Sequence, residues 1–296
     1  MHRIPILMLY FGNHYVRYWN HEILMTYFKL EKGKKSVTFI SVGLSIIAHI
    51  RDAVAMVRFQ IELESRLAAG ETLTELTVDE ILHKYRSADD KFLVESFGTI
   101  AAYGGNAAMM HYHATPEDHA VLEKKGFLLV DSGATYMDGT TDITRTYPLG
   151  PLTEDEKRFY TWTLQSHIDL AKAVWLDYCE CKMIDTIARE PLWRHLINYR
   201  CGTGHSVSFV GNVHEGPHAL NSRNTTRMRP GMVVTDEPGV YETDLVGIRI
   251  ENELVCVHKA DNQYGTFLRF EPLMFVPIAT SPHPARCGWI RTRSHG

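Results

Sequence analysis

A chain of 296 residues, 45% hydrophobic and 22% charged, can bury a full core as one large domain or two small ones and is too apolar to be disordered. A net charge of −4 with no basic stripe excludes a nucleic-acid surface, and no run approaches the roughly 20 apolar residues that a membrane span needs. The five cysteines, Cys179, Cys181, Cys201, Cys256 and Cys287, are scattered and odd in number, which fits free thiols in a reducing cytosol better than a disulfide framework.

Residues 1–47 mix aromatics and histidines without a sustained period. The opening apolar stretch lacks the small-residue cleavage site of a signal peptide, and Lys32 to Lys35 reads as an exposed turn. From Ala48 the pattern is helical, with Val54, Val57, Ile61 and Glu64 on the expected stripe, Ala53 and Met56 beside it, and Gly70 as the stop. Thr77 with Glu80 has capping-box spacing and opens a second helix through about Arg86. An apolar stretch with a Gly-Gly break then leads to His111-Tyr112-His113.

The stretch VDSGATYMDGTTDITRTYP follows and organises the chain. Asp131 ends the apolar run Phe127 to Val130, which has the length of a buried strand, and Asp142 begins a run with half-buried alternation. Turn chemistry around Gly139 separates the runs. A hairpin there sets both carboxylates near one another on one face, and two close anions need a cation if both are to stay ionised. Either aspartate taken singly is more often a turn residue.

Thr153 to Glu156 is another capping box, starting a long helix to about Trp175 with Phe159, Leu164, Ile168, Ala171 and Trp175 near one face. A shorter helix, about Ile184 to Trp193, precedes the Gly-flanked His205 in GTGHS. From Pro230 the chain reads as strands: GMVVTDEPGVY, VGIRIENELVCV and PLMFVPIA. Helices and strands come in separate runs, which favours an α+β fold with a largely antiparallel sheet. Four later residues join the aspartates: His205, His214 in NVHEGP, Glu237 in TDEPGVY, and Glu251 in GIRIEN. Alternation puts Arg249 and Glu251 on one polar face of an otherwise apolar strand. Singly, each has a bland explanation, solvation for a glutamate and a tight turn for the glycines around His205. Jointly, two Asp, two Glu and one His make a hard, oxygen-rich ligand set that suits two Mn2+-like ions and not a sulfur-rich zinc site.

DSGATYMDGTTDITRTYPLG, GTGH with NVHEGP, MVVTDEPGVY and GIRIENELV together resemble the pita-bread-fold metallopeptidases, in the aminopeptidase P (Xaa-Pro aminopeptidase) branch. The resemblance runs from about Ala48 to Ile278. It implies a curved, largely antiparallel sheet covered by helices, in two pseudo-symmetric halves. It implies a cytoplasmic metallo-aminopeptidase that hydrolyses the N-terminal Xaa-Pro peptide bond by a metal-bridged hydroxide, with two divalent ions, Mn2+ foremost. Its five ligands map onto Asp131, Asp142, His205, Glu237 and Glu251, with Asp142 and Glu251 bridging. Glu237 takes the proton of the attacking water, His111 and His214 contact substrate and assist catalysis, and Arg249 stands beside the last ligand as a substrate-binding residue. The partner is a peptide with proline at its second position, and the resemblance allows a homodimer.

The chain departs from the pattern in places. Cys201 stands where many relatives have a histidine, and Ser206 and Ser208 where many have glycine. The implied organisation is residues 1–47 as the remnant of a lost or truncated N-terminal domain, 48–280 as the catalytic domain and 281–296 as an irregular tail. The alternatives are a prolidase or methionine aminopeptidase of the same fold, or a non-catalytic binding protein that kept the fold.

Overall fold

The computed structural model describes residues 37–282. The expected turn at Lys32 to Lys35, most of segment 1–47 and nearly all of the tail 281–296 lie outside them. Contacts divide the chain after Ile40, and the site lies wholly in the unit Ser41–Gly296.

Helices α1 (Val37–Ala68) and α2 (Glu75–Arg86) lead into the first set of strands: β1 (Phe92–Glu95), β2 (Ile100–Tyr103), β3 (Phe127–Ser132), β4 (Ala134–Tyr136), β5 (Gly139–Thr140) and β6 (Ile143–Pro148). Helix α3 (Glu154–Ala171), strand β7 (Val174–Leu176) and helix α4 (Cys181–Trp193) lead into β8 (Gly204–His205) and β9 (Ala219–Leu220). The second set then follows: β10 (Val233–Asp236), β11 (Gly239–Glu242), β12 (Val246–Arg249), β13 (Asn252–Asn262) and β14 (Gly265–Pro272). Every pairing between these strands is antiparallel, as expected of the α+β class.

One plan occurs twice. In the first half the pair β3·β6 is interrupted by the short hairpin β4·β5. In the second half the pair β10·β13 is interrupted by the hairpin β11·β12. Asp131 and Asp142 stand where the first insertion leaves and rejoins its sheet, and Glu237 and Glu251 do the same for the second. The carboxylates thus come from equivalent places in two similar hairpins. Each half has its own core. Met56, Phe59 and Leu63 of α1 pack on Leu128, Val130 and Ile143. Leu170 of α3 and Ile184 and Ala188 of α4 pack with Val234, Leu254 and Phe270.

Several local expectations change. The buried stripe of α1 is Ala48, Asp52, Met56, Phe59 and Leu63, while Ile61 is 54% exposed. Asp52 faces inward because Arg86 binds it there, so a charged residue sits where the apolar stripe was not sought. Helix α2 starts earlier than expected: Thr74 is its N-cap and Thr77 the N3 residue of its capping box. The capping box at Thr153 is as expected, but α3 stops at Ala171, and its buried face runs through Tyr160, Leu164, His167 and Leu170. Trp175 belongs to β7, pairing with Leu268 and packing on Phe270. PLMFVPIA is not a strand beyond Pro272. Instead Leu273, Met274 and Val276 are buried in a segment without regular structure, and the unforeseen strand is β14.

Candidate metal centre

Asp131, at the end of β3, lies opposite Thr144 of β6, so the two aspartates flank the first inserted hairpin at close quarters. Gly133 makes this possible: a Cβ there would lie 1.8 Å from the Thr141 carbonyl oxygen. Gly204, before His205, has the same function, since a Cβ would lie 1.9 Å from the Thr235 carbonyl oxygen. The glycine beside His205 therefore serves a close strand approach, which brings the imidazole to the end of β10.

Three of the five expected ligands form a tight group. One ligand atom each from Asp142, His205 and Glu251 lie within 4.8 Å of one another. Glu237 adjoins this group, with Oε1 3.4 Å from His205 Nε2, and Asp142 Oδ2 is 3.3 Å from the same nitrogen. Asp131 stands beside it and is bound through Oδ2 by Arg249 Nη2. His205 Nδ1 faces the Ser206 carbonyl oxygen at 3.2 Å. That oxygen can only accept, so Nδ1 carries the hydrogen and Nε2 is presented to the carboxylates, the arrangement of a ligand imidazole.

Neutral side chains aim the charged ones. Thr144 Oγ1 accepts from Arg249 Nε at 3.1 Å and donates to Glu251 Oε2 at 2.6 Å. Thr235 Oγ1 accepts from the His205 N–H at 2.9 Å and donates to Glu237 Oε1 at 2.9 Å. Arg249 Nη1 donates to Tyr241 Oη at 2.9 Å. These three residues were not singled out in the sequence. The available signal was alternation, since Thr144 lies two residues after Asp142 and Thr235 two before Glu237, on the same strand faces.

The site holds more negative charge than the protein itself balances. Among the described residues, four carboxylates, from Asp131, Asp142, Glu237 and Glu251, face one arginine, Arg249. Asp131 Oδ1 and Glu251 Oε1 are buried with no hydrogen-bond partner. Burial, aided by the Asp131 charge, pushes the Asp142 carboxyl up to about 7. Burial also raises Glu237, and burial with the charges of Asp142, Glu237 and Asp131 holds Glu251 well above the carboxylate range. Burial pulls the His205 imidazole down, but the Asp142 hydrogen bond and the Glu237 charge outweigh it and lift the group to about 9. Orphaned carboxylate oxygens, hard donors and an outward Nε2 fit two divalent cations.

The two expected substrate histidines flank this group. The rings of His214 and His205 have centroids 3.8 Å apart, and His214 is solvent-exposed. Partial burial, with the charges of His205 and His111, lowers His214 below its ordinary value. His111 is exposed at the same edge. Arg249 is only 3% exposed, so any substrate contact must use N–H groups left over from Asp131, Thr144 and Tyr241. Cys201 is not among the converging ligand atoms of the described residues. It packs with Leu192, Tyr199 and Val240, and burial, aided by the Glu237 charge, pushes its thiol up to about 11.

Residues 46–258 match the pattern of Metallopeptidase family M24. The chain is 43% identical over 239 residues to "Aminopeptidase P2" of Arabidopsis thaliana, an alignment covering 79% of this chain and 34% of that protein. Among solved structures it is similar to an X-prolyl aminopeptidase from Caenorhabditis elegans, described as a cytosolic enzyme with a di-nuclear active site. The TM-score is 0.78 at 36% identity, over 82% of this chain and 40% of the other. It shares its fold with a prolidase from Pyrococcus horikoshii at TM-score 0.68 and 24% identity, over 80% of this chain and 62% of that one. The chain thus spans well under half the length of the aminopeptidase P relatives described. The architecture, two inserted hairpins around one acidic centre, is the pita-bread fold.

Proposed function

The chain belongs to metallopeptidase family M24, and from that premise we propose that it is an aminopeptidase hydrolysing the N-terminal Xaa-Pro bond of peptides with two divalent ions. The observation that carries this reading is the convergence of Asp142, His205 and Glu251 beside two orphaned carboxylate oxygens. Asp131, Asp142, His205, Glu237 and Glu251 are the residues that would hold the ions, and an oxygen-rich set with one nitrogen favours Mn2+. When bound, the ions supply Lewis acidity and a water nucleophile near neutral pH.

The rest is the work of the chain's own side chains. Thr235 holds Glu237 Oε1, so Oε2 is the atom that takes the proton of the attacking water. His214, kept below its ordinary pKa, is neutral near pH 7 and donates one N–H to the developing oxyanion, with His111 beside it. Arg249 keeps Asp131 in place and, through Thr144, orients Glu251. The preference for proline rests on the likeness to aminopeptidase P. A cytosolic location is consistent with the free cysteines Cys179, Cys181, Cys201 and Cys256 and with the description of the C. elegans enzyme. A homodimer belongs to the same reading.

Hydrolysis of Xaa-Pro-Xaa tripeptides and of Xaa-Pro dipeptides by the Mn2+-loaded chain tests the proposal. Release of the first residue from tripeptides is expected. Cleavage confined to dipeptides would make the protein a prolidase, and no cleavage of either by a chain loaded with two ions would end the peptidase reading.

A further inference from the structure

Next to the candidate metal centre lies a buried polar chain that the reading above does not use. His167 of α3 is 3% exposed. Its Nδ1 lies 3.2 Å from the Asp236 carbonyl oxygen and 3.1 Å from Asp236 Oδ2. Its Nε2 lies 3.2 Å from Asn252 Nδ2. Asp236 and Asn252 are directly paired across β10 and β13. The residue after Asp236 is Glu237 and the residue before Asn252 is Glu251. One imidazole therefore ties together the rung from which two of the expected ligand carboxylates depart. Neighbouring residues of a strand point to opposite faces, so the tie and the ligands lie on opposite sides of the same rung.

The direction of each hydrogen bond is fixed from one end. Arg145 Nη2 lies 2.8 Å from Asn252 Oδ1, and a guanidinium only donates. The Asn252 oxygen is thus the acceptor, and its nitrogen must be the donor toward His167. His167 Nε2 must then carry a lone pair, and Nδ1 carries the hydrogen, which goes to the Asp236 carbonyl oxygen. Arg145 is itself buried, and its other hydrogen bonds go to the carbonyl oxygens of Thr144, Glu251, Val276 and Pro277. It has no carboxylate partner among the described residues. Its donors hold the backbone of Glu251 and anchor the polar chain at its other end.

We propose that His167, as the neutral Nδ1–H tautomer, is a positioning residue of the metal centre, fixing the spacing of Glu237 and Glu251 through Asp236 and Asn252. The inference rests on the dinuclear reading given above. Groups that orient metal ligands from behind typically contribute about 10- to 100-fold in metal affinity, so losing the tie loosens two ligands at once.

Two measurements test this. The first is 15N NMR of histidine-labelled, metal-free protein, in which the His167 signal should show protonated Nδ1 and bare Nε2. The opposite tautomer would overturn the hydrogen-bond chain. The second is equilibrium dialysis against Mn2+ of the wild type, His167→Phe and His167→Asn. His167→Phe keeps a ring and removes both hydrogen bonds, while His167→Asn keeps a donor near Nδ1. The expected result is a loss of about 10- to 100-fold in affinity for at least one ion in His167→Phe, partly restored in His167→Asn. If His167→Phe folds less stably yet binds both ions as the wild type does, His167 is only structural and the inference fails. If His167→Phe does not fold, His167→Asn and the tautomer measurement still decide. A wild type that binds no Mn2+ would instead remove the dinuclear reading, and a positioning role with it.

Discussion

Two buried clusters of acid and base in this molecule invite comparison. In the first, Asp52 receives Arg86 Nε at 2.7 Å and Nη2 at 3.0 Å, and Tyr136 Oη donates to it at 3.0 Å. Arg86 also reaches Glu95, which His83 meets at 2.9 Å. Every Asp52 and Arg86 polar atom has a partner, and the Asp52 charge further raises the already high pKa of the guanidinium against the pull of burial. In the second cluster four carboxylates share one arginine, two oxygens are orphaned, and Asp142, Glu237 and Glu251 are all driven upward. Asp52 and Arg86 are fully buried, and Asp131, Asp142, Arg249 and Glu251 are buried too, so burial does not distinguish the two centres. The difference lies in charge balance: the first cluster is closed by the protein, and the second requires cations from outside.

Substitutions should separate the clusters by kind of effect. The largest is Arg86→Met, which leaves buried Asp52 without its counter-charge and with Tyr136 Oη as its remaining donor of this cluster; it should cost about 3–5 kcal/mol of unfolding free energy. Urea unfolding with and without Mn2+ checks this, and the cost should be the same in both, because this cluster does not see the ions. His214→Ala should come next. It should retain the ions and lower kcat by roughly 10²–10³ with little change in KM, the usual loss for one oxyanion donor. Steady-state kinetics on a Xaa-Pro-Xaa peptide reads it, and a raised KM with unchanged kcat would make His214 a binding residue only.

The pH dependence of the metal-free chain sharpens the contrast. Asp142, raised from 3.8 to about 7, and His205, raised from 6.5 to about 9, both hold more protons folded than unfolded. Stability should therefore fall as pH rises, across roughly 4 to 7 through Asp142 and 6.5 to 9 through His205. Adding Mn2+ should flatten the profile, since bound cations take the place of the protons. Denaturant unfolding at a series of pH values reads both. The smallest effect is expected from Cys201→Ser. The thiol is half-buried against apolar neighbours, so stability and Mn2+ affinity should change little; dialysis against Mn2+ would reveal any role as a ligand.

How much of this the sequence held depended on whether a residue's reason was local. The meeting of Asp142, His205 and Glu251, with Glu237 and Asp131 beside them, was legible because these residues flank turns and strands with distinctive neighbours. The capping box of Thr153 was legible because Thr153 and Glu156 meet within one turn. The inward face of α1 was not legible, because Asp52 is buried only by virtue of Arg86, 34 positions away. Trp175 looked helical by period and became a strand because β14 pairs with it. Alternation puts Thr144 on the face of Asp142 but does not name Glu251, 107 residues distant, as its partner, and no local pattern marks His167, whose partner Asn252 is 85 residues distant.

The central claim is that the acidic centre is completed by two divalent cations. Metal analysis after dialysis of the stripped chain against Mn2+ tests it most directly, with Glu251→Gln alongside. The account predicts two ions per wild-type chain, a gain of about 2.7 kcal/mol in stability for each ion at 100 times its Kd, and one ion or none in Glu251→Gln. Wild type that binds fewer than two ions, or Glu251→Gln that still binds both and turns over normally, would contradict it.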